Sequence, residues 1–164
     1  MQAAQQMDSS LRGRVLSIRS RVSLLRGDWE QAEAQSFAAI PLLEHVPLRQ
    51  IAAQTTWVRA LLSANRLAEA SVQADALLHE IESSGGAGYI EIPARLVIAE
   101  AFDADGDVQG ARTVLDAALR LVHKAAAGMP TPEARERFIN EVPQNALAAE
   151  LDLLWSHRHS RHSS

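Results

Sequence analysis

Apolar residues recur along this chain at intervals of three and four, the spacing of one face of an α-helix. Leu11, Val15, Ile18, Val22 and Leu25 are spaced 4-3-4-3 and predict the buried stripe of a first helix that stops at Gly27. Asp28 can cap a second helix from Trp29 toward Leu43, where Pro41 predicts a kink or an early stop because proline removes a backbone donor and clashes one turn back. Pro47 opens a third helix carrying Ile51, Trp57, Val58, Leu61 and Leu62, which turns at Asn65 into a fourth reaching about Ile81. Ser83-Ser84-Gly85-Gly86-Ala87-Gly88 is the clearest loop. A third pair begins near Tyr89, accommodates Pro93 in its first turn, turns at Gly106 and ends near Ala127.

The pattern changes after Gly128-Met129-Pro130. Thr131-Pro132-Glu133 combines a hydroxyl cap, a proline at the first helical position and an acid beside the positive helix end, predicting a short helix with Phe138 and Ile139. After Val142-Pro143, a last helix from Ala146 to Trp155 carries Leu147, Leu151 and Leu154. The expected organisation is therefore a flexible arm over residues 1–10, three helical hairpins over 11–128, capping helices over 129–156 and a disordered tail over 157–164.

A phrase is written three times within the hairpins: Gly27-Asp28-Trp29-Glu30-Gln31-Ala32, Asn65-Arg66-Leu67-Ala68-Glu69-Ala70 and Gly106-Asp107-Val108-Gln109-Gly110-Ala111. The copies recur at about 40 residues, within the range of helical-hairpin repeats, which stack and use the stack to hold other molecules. Each has a turn residue, an alanine five positions later and a second site seven beyond that: Ala39, Leu77 and Ala118. In these positions the chain resembles the tetratricopeptide repeat family, although Asn65, Leu77 and Pro41 depart from its commonest residues. The closing stretch Arg135-Glu136-Arg137-Phe138-Ile139-Asn140-Glu141-Val142-Pro143-Gln144-Asn145 resembles the end of repeat arrays in bacterial multidomain signalling regulators.

The resemblance covers about residues 11–156. It implies an all-α, right-handed solenoid of three hairpins with C-terminal capping helices, and a concave groove lined by the first helix of each hairpin. Carried onto this chain, the groove positions are Arg14, Ser17, Arg21, Leu24 and Leu25, then Ala52, Thr55, Arg59, Leu62 and Ser63, then Pro93, Leu96, Glu100, Asp103 and Ala104. Such a groove would be basic at its N-terminal end and acidic at its C-terminal end. The implied function is a non-catalytic protein–protein interaction or scaffolding module of bacterial signalling, holding a peptide or partner helix.

Composition narrows the classes. With 47% hydrophobic and 22% charged residues the chain is globular in character, and with only 4% aromatic its core must rest on Ala, Leu, Val and Ile. A net charge of −4 argues against bulk attraction to nucleic acid or anionic lipid. No cysteine is available for thiolate chemistry. Neither a leader pattern nor a membrane-spanning apolar run is evident, so a cytoplasmic location is expected.

Asp103-Ala104-Asp105-Gly106-Asp107 is not a calcium loop, because valines occupy the obligatory glycine and bidentate glutamate places, Val108 and Val114. Gly85-Gly86-Ala87-Gly88 lacks the lysine and hydroxyl of a phosphate cradle. His157, His159 and His162 crowd the tail without a frame to fix metal geometry. The chain is therefore read as non-catalytic, with no cofactor and no metal.

Arginine matches carboxylate and phosphate bidentately, so Arg14, Arg21 and Arg59 suit an acidic peptide or a C-terminal carboxylate, with Leu24, Leu25 and Leu62 supplying apolar contact. The bland alternative is a solvated charged face. Arg12, Arg19 and Arg26, spaced by seven, form a second stripe on the first helix. Nucleic acid is disfavoured there, since no aromatics interleave the arginines. Apolar surface left over on this helix, at Leu16 or Leu24, would need a cover, either upstream repeats or a second copy. Self-association of a larger regulator is accordingly the alternative function.

Overall fold

The computed structural model describes the backbone of residues 2–162 and the side chains of residues 6–158. It is all-helical, with 86% helix and no strand among the described residues. The helices are α1 (Gln2–Leu25), α2 (Trp29–Ala39), α3 (Pro47–Ser63), α4 (Leu67–Ser83), α5 (Glu91–Asp105), α6 (Val108–Ala127), α7 (Pro132–Glu141) and α8 (Pro143–His162). Short 3-10 turns at Pro41–Leu43 and Gly88–Ile90 precede α3 and α5.

The local chemistry explains most boundaries. Asp28 caps α2, its carboxylate accepting from the Gln31 amide at 3.2 Å, and Asp107 caps α6 through Gly110 at 2.9 Å. Thr131 caps α7 by accepting from the Ala134 amide at 3.1 Å, with Pro132 behind it. Pro41 stops α2 and opens the 3-10 turn. Two ends run further than their polarity suggested: α1 starts at Gln2, so the expected arm belongs to a helix, and α8 continues through the expected tail to His162. Ser163 and Ser164, the rest of that tail, lie outside the described residues.

The three copies of the repeated phrase make the same turn. Gly27, Asn65 and Gly106 take positive φ angles of 77°, 59° and 94°. After each, the next amide donates back to the carbonyl five residues earlier: Asp28 to Ser23 at 3.0 Å, Arg66 to Leu61 at 2.9 Å and Asp107 to Phe102 at 2.9 Å. This is the six-residue closure that satisfies the last carbonyls of a helix. The small residues that follow, Ala32, Ala70 and Ala111, are fully buried, as are Ala39, Leu77 and Ala118.

Each helix packs on the next in the chain, and further contacts join α1 to α3, α3 to α5 and α5 to α8. Those four helices therefore form one row. The main core runs from Ile51 in α3 to Trp155 in α8. The N-terminal pair rests on a separate, small cluster of Ala39, Leu43 and Ala53 with Leu16 and Ile40 against it. Phe37 of α2 meets Trp57 of α3 edge-on, with ring centres 5.1 Å apart.

Candidate partner-binding surface

The helix α1 packs through its small residues and turns its apolar stripe outward, the reverse of the expectation. Gly13, Ser20 and Ser23 are buried. A Cβ on Gly13 would come within 2.9 Å of Leu42 Cβ and Leu43 Cγ, so the two segments touch because that side chain is absent. The Ser23 hydroxyl donates to Gln35 Oε1 of α2 at 3.3 Å, and the Ser20 hydroxyl to the Ser17 carbonyl at 2.9 Å. On the opposite side Leu11, Val15, Ile18, Val22 and Leu25 are all exposed, from 40% at Val22 to 89% at Leu25. Leu16 and Leu24, expected to be the uncovered pair, are half-buried.

Between α1 and α3 lies an open groove of about 240 Å³, lined by Arg21, Leu24, Leu25, Thr55, Thr56, Arg59 and Val97. The structure thus brings together five of the expected residues: Arg21, Leu24, Leu25, Thr55 and Arg59. Thr56 and Val97 complete the lining and were not anticipated. The Thr55 and Thr56 hydroxyls donate to the carbonyls of Ile51 and Ala52, at 2.8 and 3.0 Å. Arg14 and Ser17 sit earlier on α1, the first exposed and the second half-buried. Leu62 is half-buried against the main core.

The C-terminal end of the expected groove differs. Leu96 is 1% exposed within the core and has no surface to offer, because α5 is packed by α3, α4, α6 and α8 together. Glu100 forms an ion pair with Arg59. Asp103 accepts from Arg158 of α8 at 3.0 and 3.2 Å. The expected acidic end is therefore matched internally, and Arg59 is committed to α5. By contrast, Arg12, Arg14, Arg19 and Arg21 of α1, and Arg26 just after it, are exposed and form no ion pair among the described residues.

Elsewhere, Arg66 binds Glu69 at 2.5 and 2.7 Å and Glu33 of α2 at 2.5 Å. The hydrogen bonds that Arg66 donates to Glu69 and then to Glu33 raise its pKa further, and that guanidinium holds the Glu69 carboxyl below its usual range. This clamp ties α2 to the start of α4. No group of three or more His, Asp or Glu side chains is placed to share a metal ion among the described residues. No described helix is long and apolar enough to cross a membrane. No protein family, curated protein or solved structure matches this chain.

Proposed function

We propose that the chain is a non-catalytic interaction module of tetratricopeptide-like hairpins, the partner-holding part of a signalling or scaffolding assembly. Three identical helix-closing turns at the repeated phrase, each followed by buried small residues, support the hairpin reading. The observation that carries the binding reading is the groove between α1 and α3, where the exposed and unpaired Arg21 stands beside Leu24, Leu25 and Thr55. An extended or helical peptide with a carboxylate at one point and apolar residues beside it fits this arrangement.

The test is affinity capture from the source cells with wild type, Arg21→Glu and, separately, Thr55→Trp, which fills the groove without altering α1. A partner held by wild type and lost from both folded variants supports the reading. Identical captured sets from all three proteins would overturn it. Arg59 is left intact, since reversing its charge would set a carboxylate against Glu100.

A further inference from the structure

The outward face of α1 has a pattern of its own. At about 100° per residue, Leu11, Val15, Ile18, Val22 and Leu25 fall within about 40° of one line along the helix. Their 4-3-4-3 spacing is that of alternating d and a positions in a heptad, with Leu11, Ile18 and Leu25 at d and Val15 and Val22 at a. In the same register Arg12 and Arg19 occupy e, with Arg26 in the turn just after the helix, while Arg14 and Arg21 occupy g. Gly13 and Ser20 fall at f, and both are buried against the rest of the protein. The seam is therefore exposed, bordered on both sides by arginine and anchored from behind by residues too small to be anything but a packing surface. It runs about 21 Å along the helix.

We infer that this seam is a second docking surface and that its occupant is an acidic amphipathic helix of another protein, with apolar residues at heptad spacing and Glu or Asp beside them. Charge decides among the occupants. A second copy of this chain would oppose arginine to arginine in either direction, through g–e′ pairs if parallel and through e–e′ and g–g′ pairs if antiparallel. Like charges at these positions disfavour the pairing. An acidic helix turns every one of those contacts into an attraction. A nucleic acid would use the arginines but leave five apolar side chains unmatched. A lipid surface calls for a broader apolar face with aromatic anchors, and neither is found from Leu11 to Leu25.

The seam meets the α1–α3 groove only at Arg21 and Leu25, which line both; Leu11, Val15, Ile18 and Val22 lie outside that groove. Arg19 and Arg26 lie toward α2, where they border a depression of about 300 Å³ that the seam residues Ile18 and Val22 line together with Asp28, Gln31 and Gln35.

A synthetic peptide of about four heptads, with Ile at a, Leu at d and Glu at e and g, is the probe. Alone at neutral pH its acidic flanks repel, so pairing reads out as a gain of helix by circular dichroism and as slowed tumbling of a fluorescent label. Saturable one-to-one binding that weakens with added salt is expected, with no binding of the same peptide carrying Lys at e and g. Two variants at exposed positions accompany it. Ile18→Asp should abolish binding. Arg12→Glu/Arg19→Glu/Arg26→Glu should weaken the Glu peptide by about tenfold or more and confer binding of the Lys peptide. Thr55→Trp reaches the seam only at its Arg21–Leu25 end and should change binding far less than Ile18→Asp does, which separates failure here from failure of the groove reading. Equal binding of both peptides, absence of binding, a salt-insensitive dimer of the protein itself by sedimentation, or binding of phosphatidylserine vesicles in place of the Glu peptide would each overturn the proposal.

Discussion

If α1 docks through Gly13 and presents Ile18 to solvent, filling the first position should cost far more than making the second one charged. At Gly13 the new Cβ meets Leu42 Cβ and Leu43 Cγ at 2.9 Å and Leu43 Cδ2 at 3.0 Å. Leu43 is fully buried, and Leu42 Cβ is fixed to its backbone, so neither can swing aside. Overpacking of this kind costs about 1–3 kcal/mol. Replacing a mid-helix glycine returns part of that, about 0.5 kcal/mol for a β-branched residue. Gly13→Val should therefore destabilise by about 1.5 kcal/mol, a fall in Tm of about 3–6 °C for a chain of this length. At Ile18, already 60% exposed, Asp removes little buried area and loses only a few tenths of a kcal/mol of helix propensity, so the change should stay below about 1 kcal/mol. Urea unfolding of both variants, followed by far-UV circular dichroism, makes the comparison. A larger loss for Ile18→Asp than for Gly13→Val would mean that α1 buries its apolar stripe, and the reasoning about its orientation would fail.

Three further outcomes are expected. Gly106→Ala forces a Cβ into φ 94° and should cost about 1–2 kcal/mol, whereas Asn65→Gly, at φ 59°, should stay within about 0.5 kcal/mol; equal losses in urea titrations would contradict the turn geometry. Asn145 is buried and donates to the Phe138 carbonyl at 2.8 Å, joining α8 to α7, so Asn145→Ala should cost about 1–3 kcal/mol by the same assay, and a neutral change would count against it. Because the Glu69 carboxyl is held below its usual range by Arg66, its contact stabilises fully above that range and is lost as pH falls through the lowered value. The stability gap between wild type and Arg66→Ala should accordingly be wider at about pH 7 than at about pH 2.5, and a gap that is constant between them would refute the assignment.

The helix ends were the most legible part of this fold. Glycine or asparagine at the three turns, aspartate or threonine at three caps and proline at four helix starts act locally, so their effect is written beside them. The orientation of α1 was not legible from hydrophobic spacing, which assumes that apolar residues face inward. The opposing signal, Gly13 and Ser20 seven residues apart with Ser23 nearby, marks a surface for close approach. It was hidden by the stronger apolar stripe. The groove at α1 and α3 was reached through the resemblance to tetratricopeptide repeats, which implies a groove along the first helix of each hairpin. Its far end was not legible: Leu96 is covered only once α8 lies alongside α5, and Glu100 and Asp103 find Arg59 and Arg158 from distant parts of the chain. Nothing near either acid in sequence foretells those partners.

The separation of the small N-terminal cluster from the main core has a dynamic consequence. With Ala39, Leu43 and Ala53 as its centre, the α1–α2 pair holds little apolar area of its own, while α3 to α8 share a continuous interior. Segments so divided open as separate cooperative units. Backbone amides of α1 and α2 should exchange with deuterated water well before those of α5 and α6, through openings that leave the rest folded. A ligand seated on α1 adds its binding energy to the weaker unit. Its signature in exchange would be slowed labelling of α1 and α2, with α5 and α6 unchanged.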